Sequence, residues 1–195
     1  MKRTLLVLTA AAVLVAVTAC GGSEDESETT AGAANSSTVP FDRAFIDAMI
    51  PHHRDAIEMA AAAKERGLSQ PDLEKIASDI IGSQQREIDQ MLEWRQSWYG
   101  SRELGPIEPD VLGVAESELG MEHGSADEVA GAVDVDATFA QMMIPHHEGA
   151  VAMAKAAEDR AQHEEIEDLA AAIIAAQERE IEIMEKHAAG AHHGG

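Results

Sequence analysis

The pentapeptide Met-Ile-Pro-His-His occurs twice, at Met49–His53 and at Met143–His147. Imidazole nitrogen is a general transition-metal ligand, and thioether sulfur beside it favours copper, above all Cu(I). At 100° per residue on a helix, Phe45, Met49, His52, Ala56, Met59 and Ala63 share one stripe. Phe139, Met143, His146, Ala150, Met153 and Ala157 form its counterpart. His52 and His146 therefore fall on the core line, with His53 and His147 beside them. The candidate metal ligands are His52, His53, Met49, Met59, His146, His147, Met143 and Met153. The stripe does not choose between Met49 and Met59, since both share it with His52.

A second set of residues faces the same core. Ile80, Gln84, Glu87 and Met91 lie close on one helical face, as do Ile173, Gln177, Glu180 and Met184. Gln84, Glu87, Gln177 and Glu180 are read as polar support around the ligands, and Met91 and Met184 as secondary ligands. Further secondary candidates are Met121 and His123 in "GMEHG", and His187, His192 and His193 near the C-terminus. Each of these residue types also has a plain structural use. Methionine commonly fills cores. A core histidine is commonly satisfied by a hydrogen bond, here with Gln84 or Gln177. A helix glutamate commonly faces solvent. Di-iron carboxylate chemistry is excluded, because its bundles need Glu-x-x-His and none occurs. Zinc, whose sites usually draw on cysteine or a three-ligand His/carboxylate set, stays open but is not indicated. No organic cofactor is expected.

The elements that must position these residues are helices arranged in a duplication. The segment Asp42–Ala60 matches Asp136–Ala154 at an offset of ninety-four, and Leu73–Met91 matches Ile166–Met184 at ninety-three. Alanine, glutamate, methionine and isoleucine dominate, with apolar residues three and four apart. The pattern predicts helices over about 42–66, 70–98, 136–161 and 164–188, with Asp42 and Asp136 as N-caps or first-turn acids. Pro71 is well placed at a helix start. Two such hairpins make an all-α four-helix bundle of ferritin-like type, repeat 1 at about 41–98 and repeat 2 at about 136–189. The join at 99–135 holds Pro106, Pro109 and several glycines and reads as a loop with a short helix near Val111–Leu119. Pro51 and Pro145 leave two readings open: a continuous helix that loses one hydrogen bond, or a helix that starts at the proline.

Lys2-Arg3, an apolar run from Thr4 to Val17, and small residues before Cys20 read as a lipoprotein signal peptide over 1–19. Cys20 is then the lipidated residue, anchoring the chain to the outer face of the bacterial cell membrane. Residues 20–40 are small, polar and acidic and read as a disordered tether; 190–195 form a histidine-containing tail. Cys20 is the only cysteine, so no intrachain disulfide can form. Fourteen basic residues against thirty-six acidic ones give a net charge of −22, which argues against nucleic acid as a partner. Metal ions and the membrane are the partners the sequence indicates; it identifies no protein partner.

Both "MIPHH" segments, with Met59 and Met153 downstream and the Gln84–Met91 and Gln177–Met184 strings, resemble the CopM-like family, whose domain was catalogued as one of unknown function. The resemblance spans about Phe41 to His187, and "GMEHG" resembles a Gly-Met-x-His stretch between the halves of such proteins. It implies an exported ferritin-like bundle of which some members bind copper and contribute to copper resistance. The join departs from the pattern in being poor in Met and His beyond Met121 and His123. The first reading is therefore a membrane-anchored copper buffer or metallochaperone, not an enzyme. The alternatives are a structural or partner-binding bundle with core histidines, and a metal-dependent oxidoreductase with an open site.

Overall fold

The first helix, α1 (Phe41–Arg66), is built on the apolar stripe and ends where Gly67 turns left-handed at φ 88°, its N–H bonding the Ala63 and Lys64 carbonyls. The structure is a computed structural model, and it describes residues 39–122 and 124–188. The signal peptide, nearly all of the tether, Cys20, His123, His192, His193 and the tail lie outside the described residues.

Five more helices follow: α2 (Pro71–Tyr99), α3 (Pro109–Leu112), α4 (Ala126–Gly131), α5 (Val135–Arg160) and α6 (Glu164–Ala188). Pro71 opens α2, and Asp134 caps α5 by accepting from the Ala137 N–H at 3.0 Å. The four long helices start and end within one residue of the expected spans. Pro51 and Pro145 sit inside uninterrupted helices, which resolves the two readings in favour of a continuous helix. Each ring denies one backbone hydrogen bond, to the carbonyl of Asp47 or of Gln141.

The hairpins α1–α2 and α5–α6 pack as an all-α four-helix bundle, with α1 against α5 between them. The core has two parts. One holds Phe45, Met49, Ile88 and Met91 of the first half with Met153 and Ile173 of the second. The other holds Phe139, Met143 and Met184 of the second half with Met59, Ile76 and Ile80 of the first. The order of these parts is opposite along α1 and α5, so the two helices run antiparallel, and the His-His pairs fall at the boundary. Burying each of these large side chains contributes about 1.5–3 kcal/mol.

Two aspartates lock the halves together; each is a first-turn acid of its own helix, one of the two roles the sequence offers, and neither is its N-cap. Asp42 is fully buried and accepts from the Gln162 and His163 N–H groups at 2.9 and 3.0 Å and from His163 Nδ1 at 2.5 Å, at the start of α6. Asp136 accepts from the Ser69 and Gln70 N–H groups at 3.0 and 3.3 Å, at the start of α2. Each caps a helix of the opposite hairpin.

The connector is more than a loop. Val111, Leu112, Val114 and Leu119 enter the first core part and Val129 of α4 the second. Arg160 pins it, donating to the Val111 and Leu112 carbonyls at 2.6 Å each while lying over the Phe41 ring. The helix expected near Val111–Leu119 is α3 followed by a single 3₁₀ turn at Glu116–Glu118, and α4 was not foreseen.

Candidate metal centre

Where α1 crosses α5, His52 meets His146, with ring centroids 3.8 Å apart. Helical geometry places His53 and His147 on the flanks, each ring 6.5 Å from its chain neighbour. All four rings are buried, none more than 2% exposed. His53 and His147 are as deep as the pair on the core line, because α2 and α6 close over the flanks.

Polar support comes from those outer helices. His53 Nε2 lies 2.7 Å from Glu87 Oε2, and His147 Nε2 lies 2.8 Å from Glu180 Oε2. An ionised carboxylate only accepts, so in each pair Nε2–H donates and, in the neutral ring, Nδ1 keeps its lone pair. A carboxylate behind an imidazole is the usual support of a metal-binding histidine. His52 Nε2 lies 2.9 Å from the backbone oxygen of Leu119.

The bonds expected from Gln84 and Gln177 to the histidines do not form. Both side chains are buried, but their Oε1 atoms have no hydrogen-bond partner. Also without a partner are Nδ1 of His52, His53 and His147 and both ring nitrogens of His146. Five buried imidazole nitrogens and two amide oxygens at one level of a bundle is an unusual concentration, because such atoms are normally satisfied. Burial, followed by repulsion from His53, pushes the His52 imidazole down from 6.5 to about 3. Burial and then the His52, His147 and His53 rings hold His146 well below its ordinary value. Both rings are therefore neutral near pH 7, the form that ligates a metal.

The methionines divide between the two core parts. Met49, Met91 and Met153 lie on one side of the histidine layer, and Met59, Met143 and Met184 on the other, all fully buried. Exchanging the two halves exchanges the two sets. Met49 and Met143 each stand one turn before a layer histidine. Met121 is half-buried against the first part. His187 is elsewhere, bonded to Asp72 at 2.9 Å about two turns beyond Glu180. Among the described residues no group of three or more His, Cys, Asp or Glu side chains forms a ready metal cage. The layer offers imidazole and thioether donors instead, a set that fits a soft, low-coordinate ion. Solvent reaches its edge through a groove of about 470 Å³ between α2 and α6, lined by Arg86, Glu87, Trp94, Glu165 and Asp168.

Sequence reasoning missed the Leu119 carbonyl and the buried ion pair of Asp47 with Arg95, 2.7 Å between Oδ1 and Nε. A signal for the first was present: Gly149 stands where the repeat has Asp55.

Residues 42–188 match the model of the family described as a domain of unknown function, DUF305. The chain belongs to the DUF305 family. Solved structures of CopM in the Cu(I)-bound and Cu(II)-bound forms are each 35% identical to this DUF305 chain. The first covers 74% of the chain and 93% of CopM with a TM-score of 0.59, the second 75% and 95% with 0.62. A DUF305 protein from Streptomyces coelicolor shares the fold at 22% identity and a TM-score of 0.63, over 74% of this chain and 90% of that one. No curated protein matches.

Proposed function

We propose that this DUF305 protein binds copper, chiefly as Cu(I), in its histidine layer, and works as an envelope-anchored copper buffer or metallochaperone. The observation that carries the reading is the set of five buried imidazole nitrogens without partners, enclosed between two methionine-containing core parts. A bound cation compensates lone pairs whose burial is otherwise unfavourable. Neutral histidines and thioethers suit a soft ion better than a hard one. CopM, which has been solved with Cu(I), Cu(II) and silver, supports the same choice. His52, His53, His146 and His147 would hold the ion, with Met49, Met59, Met143 and Met153 of the two core parts as candidate sulfur donors and Glu87 and Glu180 orienting the flanking rings. We assign the membrane anchor to a lipid on Cys20, on the strength of the leader sequence. Holding and passing on an ion needs no substrate pocket, and the role is a carrier's rather than a catalyst's.

The deciding experiment is an anaerobic Cu(I) titration against a chromophoric competitor, using the chain with Cys20→Ser. Retention of Cu(I), abolished in the His52→Ala/His146→Ala variant and unaffected by His192→Ala/His193→Ala, supports the layer as the site. Equal loss in the tail variant places the ion on the tail. No retention by the parent protein leaves the histidines as structural groups of a partner-binding bundle.

A further inference from the structure

The duplication supplies two similar halves, but there is only one connector, and it cannot serve both. After the 3₁₀ turn the chain at Leu119–Gly120 lies directly on α5. A Cβ at Gly149 would overlap the Leu119 carbonyl, and a Cβ at Gly120 would come 2.5 Å from the Pro145 oxygen. Gly120 also adopts φ 74°, a conformation glycine takes without strain. These two glycines let backbone meet backbone. The strap so formed delivers the Leu119 oxygen to His52 Nε2 at 2.9 Å. Neither nitrogen of His146, the counterpart of His52, makes a hydrogen bond of ordinary geometry, and its ring feels only a weaker approach of the His52 backbone. The first half has Asp55 where the second has Gly149, so its helix could not admit a backbone as closely.

A peptide carbonyl accepts hydrogen bonds and never donates. The ring nitrogen facing it must therefore carry the hydrogen, and the neutral His52 ring is left with its lone pair on Nδ1. Glu87 and Glu180 impose the same tautomer on His53 and His147. His146 alone lacks a hydrogen bond of ordinary geometry to set its tautomer.

We propose that the Leu119 strap is a positioning element of the site: it fixes His52 as the Nε2–H tautomer with Nδ1 presented to the ion, and it leaves His146 as the adjustable ligand. Gly149 and Gly120 are the residues that make it possible. The proposal rests on the histidine layer being the copper site, but its first test does not require metal.

In the metal-free, 15N-labelled full chain, long-range 1H–15N correlation reads the tautomer of each imidazole. His52 is expected as a single Nε2–H species, with His146 exchanging between both forms. A mixed or Nδ1–H state at His52 would overturn the proposal. Gly149→Ala is expected to release His52 from its single tautomer while His53 and His147 keep theirs, and to weaken Cu(I) binding by about 10–100-fold, the usual effect of losing such a support. Gly120→Ala, which crowds the same crossing from the strap side, replaces it if Gly149→Ala does not fold. Displaced Leu119 and Gly120 amide signals with an unchanged His52 tautomer, or unchanged Cu(I) affinity, would refute the strap's role. If His52→Ala/His146→Ala abolishes binding in the same assay, the copper reading survives that refutation. If the double variant also binds normally, the copper reading fails as well.

Discussion

His52 and His146 meet across the α1–α5 crossing with ring centroids 3.8 Å apart and the rings tilted by 41°, one from each half of the duplication. Burial disfavours charge on either imidazole, and repulsion from the neighbouring histidines adds to it. The metal-free protein should therefore lose stability in mild acid. The unfolded chain takes up protons on these rings below about pH 6.5, whereas the native His52 resists until about 3. Protons then favour the unfolded state throughout that window, so stability is flat above it and falls as pH drops through it. The slope is on the order of 1 kcal/mol per pH unit per histidine. Urea denaturation at pH 7.5, 6, 5 and 4.5 checks this; a constant midpoint would mean that the native rings take up protons as readily as the unfolded ones.

The cross-hairpin caps should be unequal. Asp42 is fully buried and serves two backbone N–H groups and a ring, while Asp136 is half-exposed. Asp42→Ala leaves donors unpaired in a closed setting and should cost about 2 kcal/mol or more. Asp136→Ala, where water can replace the carboxylate, should cost about 1 kcal/mol. Thermal or chemical denaturation of the two variants gives the ordering, and the reverse order would contradict the assigned burial.

Asp47 and Arg95 form a bidentate pair, both about 97% buried, with Arg95 Nη1 also donating to the Ser101 carbonyl at 3.0 Å. Removing one partner strands a charge. Asp47→Ala should cost about 3–5 kcal/mol, and Asp47→Ala/Arg95→Met distinctly less. A double variant less stable than the single one would show that the pair's hydrogen bonds outweigh its desolvation.

Glu87 and Glu180 are related by the repeat and hold His53 and His147 at nearly the same distance. Glu87→Gln and Glu180→Gln should each weaken Cu(I) binding by about 10–100-fold and to a similar degree. The competitor titration measures both. A large loss in one variant and none in the other would show that a single half holds the ion.

The core stripe, the four long helices and the duplication follow from residue spacing, because a helix buries every third or fourth residue whatever it packs against. For that reason His52, His146, Met49 and Met59 are identifiable as core residues before any fold is known. Which polar atom each of them meets is another matter. The antiparallel crossing of α1 and α5 depends on how two hairpins dock, and it is this that sorts the methionines into Met49, Met91 and Met153 on one side and Met59, Met143 and Met184 on the other. The same docking sends Asp42 to the start of α6 rather than to its own helix. Closure of the first hairpin brings Arg95 to Asp47 across forty-eight residues of chain, and the packing of the connector brings the Leu119 oxygen to His52 across sixty-seven. Local periodicity carries no information about partners at such separations, so the candidate ligand residues were legible in the sequence and the groups around them were settled only by the tertiary packing.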